Sequence, residues 1–166
     1  MGVAQELPPG IGEGDAGGAA VVRVGRAGDI ALLLIQRYAA YQAGGLEVLA
    51  VFESPRASIL EYVGKQDAPF PIIADPEARL YDLYGVEISE DKVAQTMSLA
   101  GTPDVIREAA EHGFVLTQEL GSNFHRIPAD FLIGPDLMIR RSHYAAYVTD
   151  HLPFEVIEQL IVQEVA

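Results

Sequence analysis

The sequence predicts an α/β fold in which a central mixed sheet carries helices on both faces. One observation is a strand, helix, strand pattern over residues 19–52, typical of two parallel strands joined by a right-handed crossover. Another is the apolar run 129–133, which Pro128 opens and the turn residues Gly134-Pro135-Asp136 close. Because proline is tolerated at the first residue of a strand, this run predicts a central strand and a hairpin to a partner strand over 137–144.

The N-terminal residues 1–18 are rich in glycine and include Pro8-Pro9, with little apolar periodicity. This composition predicts a flexible lead-in, so the folded domain is expected over residues 19–166. A phosphate-binding loop over residues 10–14 is disfavoured, because the segment has no preceding strand and no lysine of the P-loop type.

Residues 19–24 form a short apolar run that predicts the first strand, although Arg23 lies inside it. Asp29 is a good N-cap for the helix that follows, because its carboxylate can accept hydrogen bonds from the free N–H groups of the first turn. Gly44-Gly45 predict the end of that helix. The nearly continuous apolar run 46–52 then predicts a strand covered on both faces.

The middle of the chain shows similar signals. Pro55 suits a first helical position, which predicts a helix after it. Prolines within and before residues 70–74 predict a short strand that lies at an edge or begins late. Asp75-Pro76 predict the start of another helix, which Gly85 ends.

Residues 87–124 have the least regular pattern, which predicts one short helix over 93–99 and a second beginning at Thr102. Amphipathic spacing predicts a final helix over residues 153–165. The side chains expected in the core from these patterns are Leu33, Leu34, Val48, Ala50, Phe131 and Ile133.

Four segments occur in the order of a known family: LEVLAVFES (46–54), FPIIADP (70–76), LYDLYGV (80–86) and IPADFLI (127–133). With their surroundings, residues 19–86 and 125–162, they resemble the AhpC/TSA peroxiredoxin-like family of the thioredoxin-fold superfamily. The resemblance implies a thioredoxin-like (peroxiredoxin-like) three-layer sandwich, with residues 87–124 as a variable helical insertion. It also implies a cis peptide bond between Ile127 and Pro128, since only bonds to proline reach the cis form at low cost.

The charge balance restricts the partners. Lysine and arginine number 11 against 24 acidic residues, so the formal net charge is −13. This charge disfavours nucleic acid and anionic membranes as partners. No apolar run reaches the roughly 18–20 residues of a membrane span, and the expected location is the cytoplasm.

The chain contains no cysteine. This count excludes disulfides, thiolate metal ligands and every thiol nucleophile. The resemblance implies a reactive cysteine where the first strand meets the first long helix, because a helix N-terminus lowers the pKa of a thiol. In this chain the junction reads VGRAGDI (24–30), with neither cysteine nor serine. We therefore predict no catalytic residue of the family type and no reduction of peroxides or disulfides.

The residues left around this junction are candidates for ligand binding: Arg26, Gly28, Asp29, Arg126 and Pro128. Helix N–H groups with one or two guanidinium groups would suit a small anion or carboxylate. The alternative is that Arg26 is solvated, Asp29 is only a helix cap and Arg126 is a charge on the rim. The sequence leaves both interpretations open.

The four histidines do not favour a metal site, and no cofactor is expected. His112 and His125 flank one expected loop, and His143 and His151 flank another. None of these pairs has the His-x-x-x-His or His-x-His spacing typical of ligands on one element.

Three functions remain open at the level of the sequence. In the first, the protein is a redox-inactive binding or interaction module that binds a protein partner or forms a homodimer. Alternatively, it is a cysteine-independent enzyme or small-molecule binder that uses the former active-site pocket. The third function is the antioxidant oxidoreductase activity that the resemblance implies, which the missing thiols contradict.

Overall fold

The sheet is built from the strands β1 (Ala19–Gly25), β2 (Leu46–Phe52), β3 (Ile72–Ala74), β4 (Ala129–Ile133) and β5 (Ile139–Tyr144). In the computed structural model they are arranged in the order β3-β2-β1-β4-β5. β2 is parallel to β1 and β3, whereas β4 is antiparallel to β1 and β5. The predicted mixed sheet is confirmed. The structure describes residues 19–25, 29–62, 68–111 and 123–165, so the prediction of a flexible segment over 1–18 lies outside it.

The described helices are α1 (Asp29–Ala43), α2 (Arg56–Tyr62), α3 (Arg79–Leu83), α4 (Glu90–Ser98), α5 (Thr102–Glu111) and α6 (Phe154–Val165). The sequence predicts Asp29 as the N-cap of α1, whereas in the structure Asp29 is the first helical residue, one position further into the helix. The predicted end of α1 is confirmed, since Gly45 takes the left-handed φ of 72° that favours glycine. None of the described helices combines the length and the apolar character that crossing a bilayer requires.

The start of α3 differs from the sequence prediction. The helix begins at Arg79 and not at Asp75. Asp75 instead caps it from outside, because its Oδ1 accepts from the Arg79 N–H at 3.0 Å and its Oδ2 from the Leu80 N–H at 2.8 Å. The chain between cap and helix passes through Ala78 in the left-handed region, at φ 54°.

The core consists of two apolar layers, one on each face of the sheet. One layer lies under α1 and α6 and includes Val48 and Leu34, while the other lies under α3 and includes Phe131. The predicted core residues Leu34, Val48, Ala50, Phe131 and Ile133 are all buried, whereas the Leu33 side chain is outside the described part. Every residue of β4 is buried, which confirms it as a central strand.

The peptide bond between Ile127 and Pro128 is trans, so the predicted cis bond is wrong. Trans is the lower-energy form of a bond to proline by about 0.5–1 kcal/mol. Backbone hydrogen bonds hold the chain on both sides of it. The Ile127 N–H donates to the Glu87 carbonyl at 3.0 Å, and the Pro128 carbonyl accepts from the Ala145 N–H at 3.1 Å.

Candidate functional site

The candidate site lies beyond the carboxyl ends of β1 and β2, near the start of α1. Open α/β sheets bind ligands at this kind of edge. Arg126 and Pro128 are both buried and lie just before β4, which runs antiparallel to β1 and therefore begins at the same edge. Arg26 and Gly28 fall outside the described residues, as does the side chain of Asp29. The structure thus describes one of the two predicted arginines.

Arg126 is held entirely by groups of the protein. Its Nε donates to Oε2 of Glu53 at 2.6 Å, and its Nη1 donates to the Val86 carbonyl at 2.8 Å. Its guanidinium carbon lies 4.9 Å from the centre of the Tyr81 ring. The side chain is only 7% exposed, so the interpretation of Arg126 as a charge on the rim is wrong.

Glu53 and Tyr81 complete this arrangement at the end of β2. The Tyr81 hydroxyl donates to the Val51 carbonyl at 3.0 Å and accepts from the Glu53 N–H at 2.9 Å. Tyr81 is fully buried, and burial raises the pKa of its hydroxyl far above the ordinary value of 10.0. Tyr81 is therefore neutral at physiological pH and serves to fix the backbone after β2.

A second buried ion pair lies on the opposite face of the sheet. The register places Arg23 of β1 directly opposite Asp130 of β4. Arg23 Nε donates to Asp130 Oδ1 at 2.5 Å, and Nη2 donates to Oδ2 at 3.3 Å. Asp130 has no exposed surface, and the Arg23 side chain is only 6% exposed.

The segment before α6 covers this ion pair. The Leu152 N–H donates to Asp130 Oδ2 at 2.7 Å, and Nδ1 of His151 lies 3.3 Å from the same oxygen. Burial alone would raise the pKa of Asp130, but the His151 hydrogen bond, the charge of Arg23 and the Leu152 N–H together lower it below 3.8. Asp130 is therefore ionised throughout the physiological range.

Arg23 stands out in the sequence because it interrupts an apolar strand, but its partner Asp130 was not predicted. The signal was available, because Asp130 also interrupts a buried strand, and a buried charge requires a partner of opposite sign. Two charges of opposite sign in two core strands predict that these strands are neighbours. They are neighbours in the sheet, as β1 and β4.

The family is decided by comparison with known proteins. The family model described as the AhpC/TSA family matches residues 29–142. The chain belongs to the AhpC/TSA family. No curated protein matches it.

Solved structures show the same fold as this AhpC/TSA-family chain. Peroxiredoxin 6 of Arenicola marina is 17% identical, with a TM-score of 0.60, over 89% of this chain and 61% of that one. The bacterioferritin comigratory protein of Xanthomonas campestris is 13% identical, with a TM-score of 0.59, over 91% and 82%. Mycobacterium bovis AhpC is 11% identical, with a TM-score of 0.59, over 91% and 72%. The chain thus spans 61% of the length of the Arenicola protein.

The chemistry available at the edge differs from what the resemblance implied. This AhpC/TSA-family chain has no cysteine. Both described arginines of this region are paired with carboxylates of the chain itself, Arg126 with Glu53 and Arg23 with Asp130. Within the described ranges, no three histidine or acidic side chains converge on a common point that could hold a metal ion. A ligand that approached Arg126 would compete with Glu53 for it.

Proposed function

We propose that this AhpC/TSA-family protein is redox-inactive and acts by binding. The observation that carries the proposal is the absence of cysteine from a family scaffold whose edge arginines, Arg126 and Arg23, are engaged in buried internal ion pairs. Thiol peroxidases and disulfide reductases attack through a thiolate, and methionine thioethers do not replace it. Internal ion pairs give this edge a fixed shape and leave no free cation at Arg126 to activate a substrate.

Turnover of hydrogen peroxide by the purified protein, with excess dithiothreitol and against a buffer control, tests the first half of this proposal. We expect no protein-dependent consumption in preparations stripped of metal. Consumption that scales with protein concentration and persists in stripped preparations would refute the redox-inactive assignment.

The first partner to test is a second copy of the chain. β5 is a six-residue strand at the edge of the sheet, where it pairs with β4 on one side. Arg140, Arg141 and Ser142 in its middle are exposed. Two such edges can pair antiparallel about a two-fold axis, because that arrangement uses the same surface on both copies. This geometry supports a homodimer with a continuous sheet.

Sedimentation velocity over a series of protein concentrations measures this association. A third cation in the middle of the edge, Ser142→Arg next to Arg140 and Arg141, would bring like charges close together across the axis and should shift the equilibrium to the monomer. Ser98→Arg at the exposed end of α4 makes the same chemical change away from the edge and should leave association unchanged. A wild-type protein that stays monomeric throughout would rule out the homodimer, as would equal effects of both variants.

A small-molecule binder that uses the junction of β1 and α1 is the second candidate. The observation in its favour is Nη1 of Arg23, a buried donor near the end of β1 that has no hydrogen-bond partner. With the predicted ligand residues Arg26, Gly28 and Asp29, it would suit a small carboxylate or phosphate. Acetate or inorganic phosphate, titrated into the protein, should shift the amide NMR signals of residues at this junction. Arg26→Gln should weaken binding and Arg107→Gln in α5 should not; an unperturbed junction would exclude this function.

A further inference from the structure

Three titratable or charged side chains form a row across β1, β4 and β5. The register pairs Arg23 with Asp130, and Asp130 in turn with His143. Paired residues on neighbouring strands project from the same face of a sheet, so the row lies on the face that α1 and α6 cover. Its central member, Asp130, is completely buried.

The segment 149–153, which we call the docking loop, attaches to this row through two carboxylate–imidazole contacts. One joins His151 Nδ1 of the loop to Asp130 Oδ2 of the sheet, and the other, an approach without hydrogen-bond geometry, joins Asp150 Oδ1 of the loop to His143 Nε2 of the sheet, both at 3.3 Å. The Leu152 N–H donates to Asp130 Oδ2 at 2.7 Å. Asp130 thus binds the loop through two consecutive residues.

The docking loop leads directly into α6. Leu152 and Ile157 are buried in the apolar layer under α1 and α6, and Phe154 packs against the same layer. The Arg37 guanidinium carbon lies 4.1 Å from the centre of the Phe154 ring. Leu152 of the docking loop and Ile157 of α6 thus lie in one apolar layer, next to the attachment at Asp130.

His151 is the imidazole that contacts the buried Asp130 carboxylate. Its side chain is only 14% exposed. Burial lowers its pKa below 6.5 and the nearby charge of Arg23 lowers it further, while the Asp130 hydrogen bond and charge, and the charge of Asp150, act in the opposite direction without reversing the shift. From α1 and α6, the Arg37–Glu158 pair adds one charge of each sign, 4.0 Å apart.

We propose that the docking loop is an acid-released latch, which stays on the sheet while His151 is neutral and leaves it when His151 takes up a proton. The neutral ring donates its Nδ1–H to Asp130, whereas a proton on Nε2 would add a second buried cation to a carboxylate that Arg23 already neutralises. The pKa of His151 is lower in the docked state. Docking is therefore strongest above pH 6.5 and weakens as the pH falls from there to the docked pKa.

Amide hydrogen exchange followed by NMR tests this latch in the intact protein. The reporter is the Leu152 N–H, which bonds to Asp130, and the reference is the buried Ala50 N–H of β2, which bonds to the Pro71 carbonyl at 3.1 Å. After correction for the intrinsic pH dependence of exchange, the protection of Leu152 should fall between about pH 7.5 and about pH 5, by at most ~10-fold per pH unit for one proton. The protection of Ala50 should stay constant or change far less.

Two matched variants identify the responsible ring. His151→Asn keeps a side-chain donor near the Nδ1 position and cannot take up a proton, so the protection of Leu152 should stay flat with pH. His143→Asn should keep the wild-type fall. A flat wild-type profile, or an equal fall in His151→Asn, would overturn the proposal. The wild-type ring signals give a test that no folding defect of a variant can obscure: a His151 ring that titrates at or above pH 6.5 would also overturn it.

Discussion

Replacing Arg126 by methionine tests whether this arginine is a structural element or a reserve of binding charge. Methionine retains much of the apolar stem, but it leaves the Glu53 carboxylate without its cation and the Val86 carbonyl without its donor. The two charged side chains are only 7% and 14% exposed, so solvent screens the pair weakly. Removal of one partner of a buried ion pair costs about 3–5 kcal/mol. We expect a loss of this size in the free energy of unfolding, measured by urea titration with far-UV circular dichroism.

A double-mutant cycle separates the ion pair from other effects of the substitution. Glu53→Gln alone should cost less, about 1.5–3 kcal/mol, because glutamine keeps an acceptor oxygen for Arg126 Nε although it removes the negative charge. The double variant should cost less than the sum, because neither charge is then left unpaired. Arg107→Met, at a side chain that is 67% exposed, is the matched control and should change stability by less than about 1 kcal/mol. A loss below about 1 kcal/mol for Arg126→Met would refute the structural role and point to a ligand site.

Three further predictions concern the fold. Phe131→Ala removes a ring that is 1% exposed and lies 5.0 Å from the Tyr84 ring, so unfolding in urea should become easier by about 3–5 kcal/mol, against almost no change for Leu60→Ala at an exposed position. Asp75→Ala removes the acceptor for two N–H groups at the start of α3 and should cost about 0.5–2 kcal/mol in the same assay; no loss would mean that this cap is unimportant. Because the folded pKa of Asp130 lies below 3.8, its stabilising contribution is complete above that value and is lost as the pH falls through the folded pKa. The free energy of unfolding, measured at several acidic pH values, should therefore fall less steeply with decreasing pH in Asp130→Asn than in the wild type. Identical slopes would contradict this assignment.

The order of the elements could be predicted from the sequence because each one has a local signal. Valine-rich runs bounded by glycine gave β1 and β2, and the proline-opened run gave β4. The start of α3 was misplaced because Asp75-Pro76 looks like a first turn, whereas Asp75 acts on N–H groups four and five residues later. Local signals identify capping residues more reliably than they place the boundary.

The candidate site was harder to predict because its contacts join distant parts of the chain. Arg126 was identified as a candidate, but its partner Glu53 lies 73 residues away and its burial depends on Tyr81 of a third element. The trans bond before Pro128 contradicts an expectation taken from the resemblance and not from these residues. The sequence could identify the missing thiol, which needs no contact map, but it could not show that the remaining charges are paired internally.

The ion pair between β1 and β4 has an evolutionary consequence as well as an energetic one. A slip of one residue between these strands would turn Asp130 to the opposite, apolar face and leave Arg23 buried without a carboxylate. The pair therefore raises the free energy of each such misaligned strand pairing, which two valines at these positions would not do. A change of either residue alone would remove this preference for the native register and leave an unpaired charge in the core. Among close relatives, positions 23 and 130 should therefore covary, changing together to two apolar residues or not at all.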